Sequence, residues 1–135
     1  MVVFASNNSP LVRTGDGRNF ELQEAVIVQR DDGARFRVPV GAFTDGASTP
    51  CELWPTLPPF GPWWLAALVH DSAYRGSLQR QLQDGGWAPA MLSKDESDFL
   101  FMDCMIALGV EEVPRGTLYD GVRLLGWRAF RENRK

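Results

Sequence analysis

The chain contains one histidine, and a carboxylate stands next to it: Ala66-Ala67-Leu68-Val69-His70-Asp71-Ser72-Ala73-Tyr74. A single imidazole excludes every site that needs two, such as zincin helices, polyhistidine metal centres and multi-histidine phosphohydrolases. It still permits acid–base catalysis, because imidazole titrates near neutrality. His70 is therefore the candidate general base. On a helix, Ala67, His70, Asp71 and Tyr74 lie on one side at steps of three and four. Asp71 is rotated from His70 by roughly 100°, which aims it at a neighbouring ligand or metal rather than at the imidazole. A histidine base needs a different carboxylate to fix its tautomer. Asp98 fits, because Phe101, Met102 and Met105 follow it at helical spacing. If that stripe packs on the first helix, Asp98 faces the core, and a buried carboxylate needs a partner.

Each of these residues also has a structural reading. His70 can be a hydrogen-bonded core histidine, and His70, Asp71 and Asp98 a buried polar staple. Tyr74 reads as a hydrogen-bond donor rather than an acid. Lys94 reads as solvated or as capping a carboxylate. Asp45-Gly46 is a turn signal taken alone. Trp54, Trp63 and Trp64 are either core or an apolar lip for a lipid or partner. Trp63 and Trp64 are adjacent, so one helix cannot turn both inward.

These side chains must be positioned by an α+β fold. The pattern predicts a single domain over residues 1–135, with an extended arm at 1–19 carrying at most one short strand. A β-hairpin follows at 20–40, its apolar residues alternating on both sides of Arg30-Asp31-Asp32-Gly33. Residues 41–61 form a loop dense in Gly, Pro and Trp, unusually long unless functional. Three helices occupy 62–131. The first runs from Pro62 to Arg75 and stops at Gly76. A polar connection spans Ser77 to Pro89. The second helix starts at Ser93 with Glu96 three places on, a capping box, and stops near Leu108-Gly109. The third starts after Pro114 and carries Leu118, Val122, Leu125 and Phe130 on one stripe. The hairpin and loop should pack on a three-helix bundle.

The net charge of −3 argues against nucleic acid as a partner. The terminal group Arg123, Arg128, Arg131, Arg134 and Lys135 reads as a solvated helix face. Cys51 and Cys104 are far apart and form no Cys-x-x-Cys pair, so two free thiols in a reducing cytosol are expected. No signal segment and no transmembrane segment are apparent.

Two resemblances bear on the candidate site. Ala66 to Tyr74, followed by Lys94-Asp95-Glu96-Ser97-Asp98-Phe99-Leu100-Phe101, resembles the catalytic helices of the phospholipase A-two superfamily, especially its short viral members. That resemblance implies that His70 deprotonates the attacking water, Asp98 orients His70 and Tyr74 supports Asp98. Asp71 would bind a calcium ion that stabilises the oxyanion. The superfamily's Gly-rich calcium loop is poorly matched by Phe60-Gly61-Pro62. Thr44-Asp45-Gly46-Ala47-Ser48 could instead bring a carboxylate and hydroxyls to that place, with Asp45 as the second metal ligand.

A longer ordered set is similar to a family of tailed-phage and prophage proteins of unassigned function. It comprises Phe43-Thr44-Asp45-Gly46-Ala47-Ser48-Thr49-Pro50, Trp54, Pro59-x-Gly61, Ala67-x-x-His70-Asp71-x-x-Tyr74 and Ser93-Lys94-x-x-x-Asp98-x-x-Phe101. It continues with Leu108-Gly109-Val110 and Tyr119-x-x-Val122-Arg123-x-x-Gly126.

The expectation is a phage-encoded His-Asp hydrolase acting on a host-envelope component, most concretely a phospholipid ester. It would be made in the host cytoplasm and could be virion-associated. One alternative is a non-enzymatic virion or assembly protein that docks onto other phage structural proteins. Another is a metal-dependent cell-wall peptidase or amidase. Calcium is the expected cofactor. Zinc on His70, Asp71, Asp45 and Asp98 is less favoured, since one imidazole is few for that metal.

Overall fold

The computed structural model describes residues 2–4, 11–13, 20–22, 24–41, 43–44, 63–127 and 130–131, with the backbone alone at 11–13, 20–22, 43–44 and 125. In chain order the strands are β1 (Val2–Phe4), β2 (Leu11–Arg13), β3 (Phe20–Leu22), β4 (Val26–Arg30), β5 (Arg35–Val38) and β6 (Phe43–Thr44). Helix α1 (Trp64–Arg75) follows, then β7 (Gln79–Gln81), β8 (Trp87–Pro89), α2 (Lys94–Ala107) and α3 (Glu112–Leu125). The fold is α+β, as expected. A five-stranded antiparallel sheet has the order β1-β4-β5-β7-β8. A smaller sheet has the order β2-β3-β6.

The β4–β5 hairpin follows from period-two patterning. Val26 pairs with Val38 and Val28 with Phe36, and all four are buried. Ile27, Gln29, Arg35 and Arg37 alternate onto the other face. The turn closes through Arg30 and Ala34, whose backbone amide and carbonyl are 2.8 Å apart. The expected first strand, however, is split. Phe20–Leu22 leaves the hairpin and pairs with β2 and β6 instead.

The second departure is larger. The polar stretch from Ser77 to Pro89 is a hairpin that extends the main sheet. Its Gln-Arg-Gln strand has no apolar alternation, and side chains of β5 hold it. Arg37 donates to Gln79 at 2.7 Å and lies over the Trp87 ring at 4.4 Å, while Arg35 donates to Gln81 at 3.3 Å. Asp84 accepts from the Gly86 amide at 2.8 Å and shapes the turn.

Helix α1 is buried on nearly every side, from Leu65 to His70 and from Ser72 to Tyr74. It packs chiefly on α2, with the sheet also in contact. Burying a side chain such as Leu68 contributes about 1.5–3 kcal/mol. Gly76 ends α1 at φ 77°, a left-handed cap that a side chain would strain. In α2 the capping box is present: Ser93 Oγ accepts from the Glu96 amide at 3.1 Å, and Glu96 Oε1 accepts from the Ser93 amide at 3.2 Å. Such a cap contributes about 1 kcal/mol. It also fixes the helix phase, so that Lys94, Ser97, Asp98, Phe101, Cys104 and Met105 form the buried stripe.

Helix α3 begins at Glu112, two residues before Pro114 rather than after it. Proline is tolerated there because a first-turn amide has no helical acceptor to lose. No helix among the described residues is long and apolar enough to cross a membrane.

Candidate functional site

Asp98 is the focus of the polar interior. Its side chain is 0% exposed and accepts from four groups on three helices. From α1, His70 Nε2 lies 2.8 Å from Oδ1 and Tyr74 Oη donates to the same oxygen at 2.6 Å. From α2 itself, Lys94 Nζ donates to Oδ2 at 2.6 Å. From α3, Arg123 Nη1 donates to Oδ2 at 3.1 Å and to Asp95 at 2.8 Å. The sequence therefore indicated the His70–Asp98 contact correctly, and it exists because the enclosed helix α1 packs on the buried stripe of α2.

Burial alone would favour the neutral carboxyl of Asp98. The hydrogen bonds from His70, Lys94 and Tyr74 outweigh it and hold the group ionised, down to about 2. Tyr74 is pushed well above the usual phenol range by burial and then by its bond to Asp98, so it acts as a donor and not as an acid. With Asp98 an acceptor only, the proton on the shared bond belongs to His70 Nε2. The imidazole lone pair is then on Nδ1. The ring packs at a tilt against Tyr74 at 4.1 Å and Phe101 at 4.7 Å between centroids, and His70 is 6% exposed.

Two cations complete this cluster. Of its two expected readings Lys94 takes the second, capping a carboxylate: it is 2% exposed, bonds to Asp98 and also donates to the Val122 carbonyl at 2.9 Å. A usable signal was present, because a lysine one turn before a core-facing carboxylate must share its face. Arg123 does not belong to a freely solvated basic face. Its guanidinium bridges Asp95 and Asp98, and both interactions raise its basicity. Only its place four residues after Tyr119, on the α3 stripe that packs on α2, hinted at this.

Of the other candidate residues, only some are described. Asp71 is half-buried, one step round α1 from His70. Thr44 is described only as backbone in β6, and Asp45, Gly46, Ser48, Cys51 and Trp54 lie outside the described residues. Trp63 is buried in the core and Trp64 is half-buried against it, so neither forms an exposed lip. The physical reason is that α1 is enclosed from its first turn. Cys104 is a buried free thiol, pushed up by burial and therefore unreactive as a thiolate. Among the described residues no group of three or more His, Cys, Asp and Glu side chains could hold a metal ion. Asp98, with four protein donors, has no acceptor position to give one.

Comparison with known proteins gave no match among curated proteins and none among solved structures. A family model did match, covering residues 20–122, which include β3 to β8, α1, α2 and all but the last turn of α3. The chain thus belongs to the DUF1353 family, described as proteins of unknown function.

Proposed function

We propose that the protein is a phage-encoded His-Asp hydrolase of a host-envelope component, with phospholipid ester the first substrate to test. One observation carries this reading: the 2.8 Å contact of His70 Nε2 with a carboxylate held ionised in the interior. In this mechanism Asp98 fixes the Nε2–H tautomer, and Nδ1 removes a proton from water as its oxygen attacks the ester carbonyl. Asp98 stabilises the resulting imidazolium. The same proton then passes from Nδ1 to the leaving alkoxide. Asp45, one of the two expected calcium ligands, lies outside the described residues, and no step is routed through a metal.

The test is His70→Asn on phospholipid in mixed micelles. Turnover should fall by about 10²–10⁴, the usual contribution of a general base, with the unfolding midpoint little changed. Turnover equal to wild type sinks the proposal. The near-complete burial of His70 and Asp98 favours a second reading, a polar staple in a non-catalytic virion or assembly protein. There the same variant loses stability and has no activity to lose.

A further inference from the structure

Lys94 brings an ammonium group into the interior. An ammonium group is expensive to bury without partners. Here Nζ meets three oxygens: Asp98 Oδ2 at 2.6 Å, Val122 O at 2.9 Å and Arg123 O at 3.5 Å. Those are as many acceptors as it has protons. Two of the three are carbonyls in the last turn of α3, where a helix exposes acceptors and favours a cation. The ammonium therefore ties the carboxylate of α2 to the end of α3.

The same turn closes on the cluster a second way. Gly126 lies so near that a Cβ there would sit 2.6 Å from Tyr74 Oη and 3.4 Å from Lys94 Cε. The indole of Trp127 lies 5.0 Å from Lys94 Nζ. Tyr74, Lys94 and Asp98 thus share one wall, the last turn of α3.

We infer that Lys94, docked on the last turn of α3, is a positioning residue for the His70–Asp98 pair. A carboxylate gripped at one oxygen can rotate about its Cβ–Cγ bond. Asp98 is gripped at both, with Lys94 and Arg123 on Oδ2 and His70 and Tyr74 on Oδ1. Arg123 is half-exposed and divided between two carboxylates, so Lys94 is the constraint on Oδ2. Fixing Oδ2 fixes Oδ1, and Oδ1 fixes the imidazole tautomer. The catalytic meaning of this rests on the hydrolase reading, but the positioning itself does not.

The lone histidine makes the test direct, since imidazole ¹⁵N NMR of this chain reports His70 and nothing else. The neutral ring of the wild type should show the Nε2–H tautomer. Lys94→Met removes the ammonium, and Lys94→Gln keeps a donor without the charge. In either folded variant both ring nitrogens should move toward a mixture of tautomers, whereas Arg123→Gln should shift them less. If the wild type hydrolyses phospholipid, kcat should fall roughly tenfold to hundredfold in the Lys94 variants with KM little changed, as expected for a misplaced catalytic group.

A folded Lys94 variant with wild-type ring shifts overturns the inference, whatever its activity. Failure of both Lys94 variants to fold also overturns it, since Lys94 would then hold the fold rather than the imidazole. If the ring shifts move but His70→Asn shows the wild type's turnover, the positioning stands and the hydrolase reading fails.

Discussion

Two ion pairs in this molecule have nearly the same length and opposite surroundings. Lys94 and Asp98 meet at 2.6 Å with side chains 2% and 0% exposed. Arg30 and Asp32 meet at 2.7 Å in the β4–β5 turn, at 38% and 58%. Distance does not separate them. The difference is what replaces each partner when the pair is broken. Water reaches Arg30 and Asp32 at once and screens them even when paired. It has little access to Asp98, where removing Lys94 leaves the interior carboxylate to Arg123, a cation it shares with Asp95. The buried pair is therefore less a net source of stability than a commitment: its members are costly to remove singly.

Asp98→Ala should give the largest effect. It leaves the Lys94 ammonium in the interior without its carboxylate and frees the His70 and Tyr74 hydrogen bonds at once. Breaking one side of a buried pair costs about 3–5 kcal/mol. Urea denaturation at neutral pH should show a loss of that order, and a loss under 1 kcal/mol would mean that water enters the cluster freely.

The next effect is titrated rather than mutated. Asp98 is held at about 2 in the fold, against an ordinary value of 3.8. A carboxyl depressed in this way contributes stability that is fully present above the unfolded value. That stability is lost as the pH falls through the folded value. The window therefore runs from about pH 4 down to about pH 2, and the loss is on the order of 2 kcal/mol. Asp32 is also held low, by its bond from Arg30 and then by the Ala34 amide, but in solvent that screens the pair. Subtracting the pH profile of Asp98→Asn from that of wild type isolates the interior group. Parallel profiles between pH 6 and pH 2 would remove the assigned depression.

The contrast also explains what the sequence disclosed. The His70–Asp98 contact was legible because α1 is apolar around His70 and an apolar stripe follows Asp98 on α2, and a polar side chain drawn into an interior must meet another. The capping box at Ser93 and the stop at Gly76 are local signals, and both hold in the structure. The β7–β8 hairpin was illegible because its strand is Gln-Arg-Gln, and Arg35, Arg37 and Trp87 settle its pairing from elsewhere in the sheet. Lys94 was legible in one of its two readings, as the partner of a carboxylate, because it stands one turn before Asp98 on α2. Arg123 was read as part of a solvated face, because the carboxylates it meets lie on another helix. Tertiary electrostatics has no period, so pattern reading recovers the helices that carry the site and misses the cation that reaches in from α3.

A smaller perturbation of the buried cluster comes from the backbone side. Gly126→Ala would place a methyl group 2.6 Å from Tyr74 Oη and 2.5 Å from the Val122 carbonyl. One of them must shift, and overpacking of this kind costs about 1–3 kcal/mol. The expected value is at the low end, because α3 ends there and its last turn can yield. Tyr74 ring signals in NMR should move with the loss. Unchanged stability with unmoved Tyr74 signals would show that the close approach is not maintained in solution.

The smallest effect belongs to the exposed pair, and it needs two variants because Asp32 has two jobs. Its Oδ2 meets Arg30 Nη2 at 2.7 Å, while its Oδ1 accepts from the Ala34 amide at 3.0 Å, which shapes the turn, and at longer range from Arg30 Nε at 3.4 Å. Asp32→Asn keeps a side-chain acceptor for Ala34 and removes the charge. Asp32→Ala removes both. Thermal unfolding should not distinguish Asp32→Asn from wild type at physiological salt, since an exposed pair held by a flexible arginine gives little beyond what water supplies. Asp32→Ala should fall slightly lower, and the gap between the two variants is the turn bond with the long Arg30 Nε contact. Lowering the salt should widen the Asp32→Asn difference a little, because screening weakens, and should leave the gap between Asn and Ala unchanged. If Asp32→Asn instead cost as much as Asp98→Ala, contact distance rather than burial would govern both pairs, and the distinction between the interior cluster and the surface turn would collapse.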